Sequence, residues 1–332
     1  MTIHDLARKI GVAPSTVSRA LNDSGYVSAD LKERIIRTAA QMNYRPNRTA
    51  RSLRTRRTHI IALGIPDILN PFYPELARGV QDAAEGAGYT VILYNTDGLL
   101  EKETKLIQTA LENRFDGLIF FPFAIEPAQF KILLQQRIPL VLFDSRPDVA
   151  DTDVIITDDF MGARYAVEHL IGLGHRRIGF IGGAPFNALE RRLQGYLSIL
   201  AGYAIPEDKR LIYIGENVHG SGRAGIEAFL SLDEPPTAIF AANDMIAIEA
   251  IIAAAKHGRA VPEELSVIGF DDIGAAQTAV PQLSTIAQPK YEMGRTAADL
   301  LISRIKGIGP RDYKRLVVDP TLIVRQSTAG AD

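Results

Sequence analysis

Beyond residue 58 the chain alternates short apolar runs with longer segments of helical periodicity, and this alternation limits the possible folds most strongly. An order of strand, helix, strand is typical of repeated βαβ units. Runs such as Gly117 to Phe121 are apolar without interruption, so we expect parallel sheets buried on both faces. Four such runs lie on each side of about residue 160, which predicts two similar sheets. The runs are His59 to Asp67, Tyr89 to Thr96, Asp116 to Pro122, Pro139 to Asp144, Arg177 to Gly182, Leu211 to Gly215, Ala238 to Asn243 and Ser266 to Asp271.

The first 57 residues differ from the remainder in charge. They contain 12 Lys and Arg against 4 Asp and Glu, whereas the remainder contains 25 against 35. A basic head on an acidic body indicates a partner that is a polyanion, and nucleic acid is the commonest one in the cytosol. A merely solvated basic face is the alternative that charge alone leaves open.

Two short helices joined by a tight turn are predicted at the start of the chain. Ile3, Leu6, Ala7 and Ile10 have helical spacing, with Thr2 as the N-cap and Gly11 at the end. A second helix begins at Pro14, and a third follows Ser28 as its cap. This arrangement matches a helix-turn-helix, whose second helix enters the major groove of DNA, although a plain helical hairpin would share the pattern.

The sequence of this head resembles the LacI/GalR family of bacterial transcriptional regulators. The resemblance is carried by TIHDLARKIGVAPSTVSRALN, then VS, then NYRPNRTARSL, between residues 2 and 53. It implies that Pro14, Ser15 and Arg19 contact bases, and that Thr16, Ser18 and Asn22 contact phosphates. Arg19 can donate two hydrogen bonds to guanine, whereas Pro14 can make only apolar contacts with a base.

The basic run from residue 47 to 57 resembles the hinge of that family, which becomes helical on DNA. Leu53 matches the leucine that is inserted into the minor groove, and Arg51 and Arg54 flank it. An exposed linker leucine is the alternative interpretation of Leu53.

The remainder resembles the family's core, which is similar to periplasmic sugar-binding proteins. The resemblance implies two doubly wound, parallel-sheet α/β subdomains around a cleft, with three crossings of the chain between them. The expected fold is therefore an all-α helix-turn-helix head on a periplasmic-binding-protein-like α/β core. The expected boundaries are 1–46 for the head, 47–57 for the hinge and 58–328 for the core. Within the core they are about 58–159 plus 290–320, and about 160–289 plus 321–328.

Ligands of such sheets bind at the carboxyl ends of strands, where this chain places polar residues. Without the resemblance, Asp144, Asn243 and Asp271 would more often be helix caps than ligand contacts. Matched to family motifs, the expected effector contacts are Phe72, Tyr73, Asp144, Arg192, Asn217, Asn243 and Asp271. Asn217 stands where many relatives have an aromatic residue, and the chain has no tryptophan, which favours a sugar or other polyol over a flat purine.

No enzyme signature accompanies these features. The chain has no Gly-x-Ser-x-Gly, no phosphate-binding Gly-Lys-[Ser/Thr] and no Gly-x-Gly-x-x-Gly, and it contains no cysteine. Its six histidines lack the i, i+4 spacing of metal ligands. We expect no catalytic residues, metal or cofactor. A start without a signal sequence and the lack of a long apolar run predict a cytoplasmic protein, associated with the bacterial nucleoid.

The sequence therefore predicts a ligand-responsive repressor, of a carbohydrate-utilisation operon, that binds a pseudo-palindromic operator. Recognition of two half-sites requires a C2 dimer, so we expect a homodimer. A final segment without a heptad repeat predicts no tetramer. The alternative is a soluble sugar-binding receptor without regulatory DNA binding.

Overall fold

The computed structural model describes residues 2–22, 25–44, 57–143, 152–183, 187–216 and 218–331, apart from the side chains of Asn22, Pro127, Ala128 and Asn187. The chain forms two compact units, Met1–Thr58 and His59–Asp332. The first unit contains three helices, α1 (Ile3–Ile10), α2 (Pro14–Asn22) and α3 (Ala29–Gln41).

The small first unit has a core of its own, in which Leu6, Val17 and Ile35 are fully buried. The N-terminus of α1 is closed by a capping box, in which the Thr2 hydroxyl and the Asp5 carboxylate each bind the other's backbone N–H. Gly11 ends α1 in a left-handed conformation with φ of 78°. These features confirm the predicted helix boundaries. Ser28 does occupy the N-cap position of α3, but its side chain makes no capping hydrogen bond.

The second unit contains two six-stranded sheets within its described residues. The first sheet has the order β11-β5-β4-β3-β1-β2, and the second has the order β12-β10-β9-β8-β6-β7. The first comprises β1 (Ile60–Ile65), β2 (Thr90–Asn95), β3 (Gly117–Phe120), β4 (Leu140–Leu142), β5 (Asp153–Thr157) and β11 (Arg315–Val318). The second comprises β6 (Ile178–Gly182), β7 (Ile212–Ile214), β8 (Ala238–Ala241), β9 (Ser266–Asp271), β10 (Ser284–Ala287) and β12 (Thr321–Ile323).

Helices cover both sheets, as expected for doubly wound α/β folds. Those on the first sheet are α4 (Phe72–Gly86), α5 (Leu100–Glu112), α6 (Lys131–Gln135) and α12 (Lys290–Lys306). Those on the second are α7 (Asp159–Gly172), α8 (Asn187–Gly202), α9 (Ser221–Leu230), α10 (Asp244–Lys256) and α11 (Gly274–Thr278). Two 3-10 turns, Pro127–Phe130 and Lys209–Leu211, complete the second unit. We call each sheet with its helices the first half and the second half of this unit.

The chain passes between the halves three times, after β5, after β10 and after β11. The sequence predicted four strands in each sheet, but the described residues form six. The four additional strands, β5, β10, β11 and β12, are short, and Asp153, Ser284 and Thr285 interrupt their apolar character. The second sheet is parallel, as expected, except at its edge, where β12 pairs antiparallel with β10. In the described part of the chain, every helix is too short or too polar to cross a bilayer.

Candidate functional site

In the first unit, α2 presents a polar surface on the side opposite its buried residues Val17 and Ala20. Ser15 and Arg19 are exposed on this helix, and Pro14, Thr16 and Ser18 are partly buried. The Arg19 side chain is exposed to solvent on this surface. The Asn22 side chain and the hinge residues Arg51, Leu53 and Arg54 lie outside the described residues.

In the second unit, a cleft of about 760 Å³, including its open mouth, lies between the two halves. Its walls differ in chemistry. The first half contributes mainly aromatic and aliphatic side chains, Phe72, Tyr73, Phe121, Phe123, Phe143, Ile155 and Met293, together with Asn70 and Thr157. The second half and the crossings contribute polar groups, Asp159, Arg192, Asn243, Asp271 and Gln288.

The aromatic wall is tightly packed. Phe121 stacks on Phe143 with ring centroids 4.2 Å apart, and Tyr73 meets the edge of Phe121 at 5.2 Å. The segment after β3, which includes Phe123, is held by the fully buried carboxylate of Glu103. This carboxylate accepts hydrogen bonds from the backbone N–H groups of residues 123, 124 and 125 at 2.7 to 3.0 Å. The wall is therefore a preformed apolar surface on which a flat or ring-shaped ligand can pack.

Arg192 is the central group of the polar wall and is almost completely buried. Its Nε donates to Asp159 Oδ1 at 2.8 Å, and its Nη1 donates to the carbonyl oxygen of Ala242 at 2.5 Å. Its Nη2 lies 3.7 Å from Asp271 Oδ1, and its guanidinium stacks on the Phe270 ring at 3.6 Å. These contacts fix a planar donor group beside two carboxylates.

A hydrogen-bond chain connects Asp271 with the first half. Gln288, at the second crossing, donates through Nε2 to Asp271 Oδ1 at 2.6 Å. The Thr157 hydroxyl, at the end of β5, donates to Gln288 Oε1. The cleft therefore contains donors and acceptors that are already oriented by one another.

Burial dominates the electrostatics of the cleft. Desolvation raises the pKa of Asp271 to about 6, although Arg192 and Lys290 oppose the rise. Desolvation likewise raises the pKa of Asp159 against the attraction of Arg192. The pKa of Tyr73 is also raised, first by desolvation and then by the Asp271 carboxylate, so its phenol keeps its proton.

Five of the seven expected effector contacts, Phe72, Tyr73, Arg192, Asn243 and Asp271, line this one cleft. Asn243 is also the N-cap of α10, where its Oδ1 accepts from the backbone N–H of Ile246 at 2.9 Å, so the two interpretations of this residue are compatible. Asp144 and Asn217 lie outside the described residues.

Sequence reasoning overlooked several lining residues. Phe121 and Phe143 follow the neighbouring strands β3 and β4, so the carboxyl-end rule would have found them if it had not been restricted to polar side chains. Thr157 ends β5, a strand that the sequence did not predict. Gln288 had no such signal, because its place depends on the crossing. Asp159 begins α7, where an acidic residue is ordinary.

Comparisons with known proteins cover both units. Residues 2–47 match the family model described as bacterial regulatory proteins, lacI family. Residues 167–328 match the periplasmic binding protein-like domain. The chain is 35% identical over 327 residues to the ribose operon repressor of Haemophilus influenzae, covering 98% of both chains.

Two solved structures are similar. The lac repressor dimer bound to operator and the anti-inducer ONPF has a TM-score of 0.88 at 25% identity, with 99% of both chains covered. A LacI family transcriptional regulator from Enterococcus faecium with bound ribose has a TM-score of 0.73 at 29% identity. That similarity covers 82% of this chain and all of the other.

Proposed function

Because this chain belongs to the lacI family of bacterial regulatory proteins, we propose that it represses a carbohydrate-utilisation operon and responds to a neutral sugar bound in the cleft. Like its relatives, the chain is a DNA-binding regulator and not an enzyme. The observation that carries the proposal is the two-sided cleft, with an aromatic wall facing the Arg192 cluster.

The DNA-binding surface of the proposal is the exposed face of α2. Arg19 discriminates guanine by paired hydrogen bonds to O6 and N7, and Ser15 contacts a neighbouring base edge. Pro14 makes apolar contacts, whereas Thr16, Ser18 and Asn22 hold phosphates. Leu53 enters the minor groove between Arg51 and Arg54.

A neutral sugar suits the charges of the cleft better than a phosphorylated one. Arg192 is already paired with Asp159 and lies near Asp271, so an added phosphate would face two carboxyl groups without a free cation among the described lining residues. The hydroxyl groups of a sugar can both donate to Asp271 and accept from Arg192 or Asn243. The apolar face of the sugar ring packs on Phe121 and Tyr73. Ribose in the related structure from Enterococcus faecium supports this ligand class.

Two copies of the chain act together in this proposal. A single α2 reads few base pairs, and a C2 dimer places two such helices on the half-sites of a pseudo-palindromic operator. The lac repressor bound to its operator is a dimer, which supports this assembly. The site of action is the cytoplasm, on the nucleoid. The sugar binds one arrangement of the two halves more tightly than the other. Sugar binding therefore changes the fraction of molecules in the arrangement that binds DNA.

A thermal-unfolding screen tests the ligand. Neutral pentoses and hexoses, with D-ribose first, are compared with their phosphate esters. A ligand at about 100 times its dissociation constant stabilises the folded protein by about 2.7 kcal/mol and raises the Tm. We expect at least one neutral sugar to do so, and ribose 5-phosphate to have no effect. A shift produced only by phosphorylated sugars would contradict the proposed ligand class.

Selection of binding sites from random DNA tests the regulatory function. The full chain is expected to enrich sequences with inverted half-sites about one helical turn apart. Binding with no sequence preference, together with tight sugar binding, would favour the alternative of a sugar receptor without regulatory DNA binding.

A further inference from the structure

Lys290 begins α12 at the second crossing of the chain, and its side chain is only 4% exposed. A buried ammonium requires acceptors, and Lys290 has them in the second half. Its Nζ donates to the carbonyl oxygen of Asp271 at 2.7 Å and to that of Asp272 at 2.9 Å. Lys290 therefore holds the end of β9, the strand that carries the cleft carboxylate of Asp271.

The backbone that Lys290 holds has an unfavourable conformation. Asp271 and Asp272 both have positive φ angles, 110° and 51°, which are uncommon for residues with a side chain. Such a conformation persists only where the surrounding contacts enforce it. The two hydrogen bonds from Lys290 are such contacts, and they maintain the direction in which Asp271 enters the cleft.

The same ammonium also contacts the first half. Glu75 Oε2 lies 3.4 Å from Lys290 Nζ, and the Glu75 side chain is 49% exposed. Glu75 lies on α4, in the same turn as Phe72 and Tyr73, which line the opposite wall of the cleft. One buried cation thus contacts the backbone beneath one wall and the helix that forms the other.

Lys290 moves with the first half because α4 and α12 pack backbone to backbone. A Cβ at Gly79 would lie 2.0 Å from the carbonyl oxygen of Tyr291, and one at Gly294 would lie 2.0 Å from that of Leu76. Contacts this close leave no space for α12 to slide along α4. The contacts of Lys290 with β9 therefore join the packed pair of α4 and α12 to the second half.

We propose that Lys290 is a positioning residue that, with Glu75, couples the Asp271 wall of the cleft to α4 and thereby holds the two halves in the described arrangement. The proposal depends on the proposed function only in assigning the cleft to a ligand. Loss of either contact releases the halves to populate a second arrangement, although no residue that lines the cleft is substituted.

Distance measurement between two spin labels tests this directly, because the chain contains no cysteine of its own. Single cysteines replace Lys105 on α5 of the first half and Glu227 on α9 of the second half, both of which are exposed. Labelled full chain is mixed with an excess of unlabelled chain, so that a dimer rarely contains two labelled copies. Pulsed electron resonance, without sugar or DNA, then gives the distribution of distances between the halves of one chain. One dominant distance is expected for the labelled parent.

Three variants are compared on this background. Glu75→Gln removes the charge of a half-exposed residue, and Lys290→Met removes the ammonium while keeping an unbranched side chain. Tyr291→Phe is the matched control. Its hydroxyl donates to Asp82 at 3.1 Å and so also joins α12 to α4, but without touching the second half.

We expect Glu75→Gln to populate a second distance, with the minor population raised at least about twofold over the parent. In Lys290→Met this minor population should be larger still. The double variant should have the same distance distribution as Lys290→Met, because Glu75 acts on β9 only through Lys290. Tyr291→Phe should keep the parent distribution. A parent distribution in Glu75→Gln, or additive effects in the double variant, would overturn the proposal. A purely structural role would lower the Tm and leave the distances unchanged.

This measurement is separate from the tests of the proposed function. A chain that binds no sugar or no specific DNA would still give the expected distance distributions if Lys290 couples the halves. Conversely, unchanged distances alongside normal sugar and operator binding would reject the coupling role alone.

Discussion

At the scale of single residues, Asp271 combines two demands that oppose each other. Its carboxylate must be free to accept hydroxyl groups, yet it is 5% exposed and lies in a wall where desolvation disfavours its charge. Arg192, Gln288 and Lys290 supply compensating positive charge and hydrogen bonds. The result is a carboxyl group whose pKa lies within the range that cells and buffers reach.

Substitution of the cleft residues should separate sugar response from DNA binding. We expect Arg192→Ala or Asp271→Ala to weaken sugar binding by roughly 10-fold to 150-fold, which corresponds to the loss of one charged hydrogen bond of ~1.5 to 3 kcal/mol. Operator affinity without sugar should change little, because both residues belong to the second unit. Calorimetric titration with the sugar from the screen measures this, and unchanged binding in both variants would remove them from the site.

Sugar affinity should rise with pH as Asp271 ionises. The pKa of about 6 means that this group is mostly protonated at pH 5 and mostly ionised at pH 7. The carboxylate is the stronger acceptor, so affinity should increase across this interval, by at most about tenfold per pH unit. Asp271→Asn should bind weakly and without this dependence. Titrations at several pH values would contradict the assignment if both proteins had the same profile.

Protein stability should respond to pH in the opposite direction. Because the pKa of Asp271 is raised by folding, its contribution to the free energy of unfolding is fully present below about pH 4 and is lost as the pH rises through about 6. Burial raises the pKa values of Asp159 and Asp244 in the same direction, so the comparison must be between the wild type and Asp271→Asn. Chemical unfolding should show a smaller decline between pH 4 and 6 in the variant.

At the scale of elements, one group of packed helices in each unit carries the proposed function. In the first unit, α1 and α3 bury one side of α2 and leave Ser15 and Arg19 exposed on it. In the second unit, α4 and α12 cross at Gly79 and Gly294, where the absence of Cβ atoms permits backbone contact. In the proposals made here, the first group presents a surface to DNA, and the second transmits the position of the cleft wall.

Arginines of the first 57 residues should differ in what they recognise. Arg19→Ala should cost ~1 to 3 kcal/mol on the selected operator and little on random DNA, since its loss removes base contacts. Arg56→Ala, in the basic run, should weaken both kinds of DNA similarly and reduce the salt slope by about one unit. Binding across a salt series provides the comparison. Equal relative losses in the two variants would mean that α2 is not the base-reading helix.

The helix crossing should be intolerant of a single methyl group. Gly294→Ala places a Cβ 2.0 Å from the Leu76 carbonyl oxygen, so α4 and α12 must separate, and we expect destabilisation of about 1 to 3 kcal/mol. Gly86→Ala is the control, because nothing lies within 4 Å of its added Cβ. That change should be neutral or stabilise the protein by up to about 1 kcal/mol. Denaturant unfolding measures the free energy of unfolding of both variants. An unchanged free energy of unfolding in Gly294→Ala would refute the close packing of α4 and α12.

At the scale of the whole molecule, the proposed function depends on symmetry and on the three crossings between the halves. The proposed response to sugar requires the halves to change their angle at the crossings, and each sheet has a core of its own. A pseudo-palindromic operator then requires two chains related by a two-fold axis. The proposed dimer meets both requirements, because each chain brings one basic unit and one cleft.

Sedimentation should show two chains in each particle at micromolar concentration. The two-fold symmetry of the proposed operator calls for two chains. Addition of operator should give one duplex for each dimer. A mass of four chains, or of one chain still bound to the full operator, would contradict this assembly.

The sequence by itself determined the local structure and the class of fold. The Thr2 cap, the Pro14 start and the Gly11 stop act within a few residues, so the helix-turn-helix could be predicted from spacing alone. Unbroken apolar runs likewise indicated buried parallel strands, because burial on both faces excludes polar residues. The family motifs supplied Arg192 and Asp271, which single-residue chemistry would have left as ordinary charged positions.

Only the tertiary structure decided which residues meet in the cleft. Thr157, Gln288 and Asp271 are joined by hydrogen bonds but lie as far as 131 residues apart in the chain, so no local pattern connects them. The short strands β5, β10, β11 and β12 form because neighbouring strands supply their hydrogen-bond partners, which compensates for weak patterning. The contacts of Lys290 with β9 and Glu75 depend on the crossing of α4 with α12, and local sequence carries no information about such long-range packing.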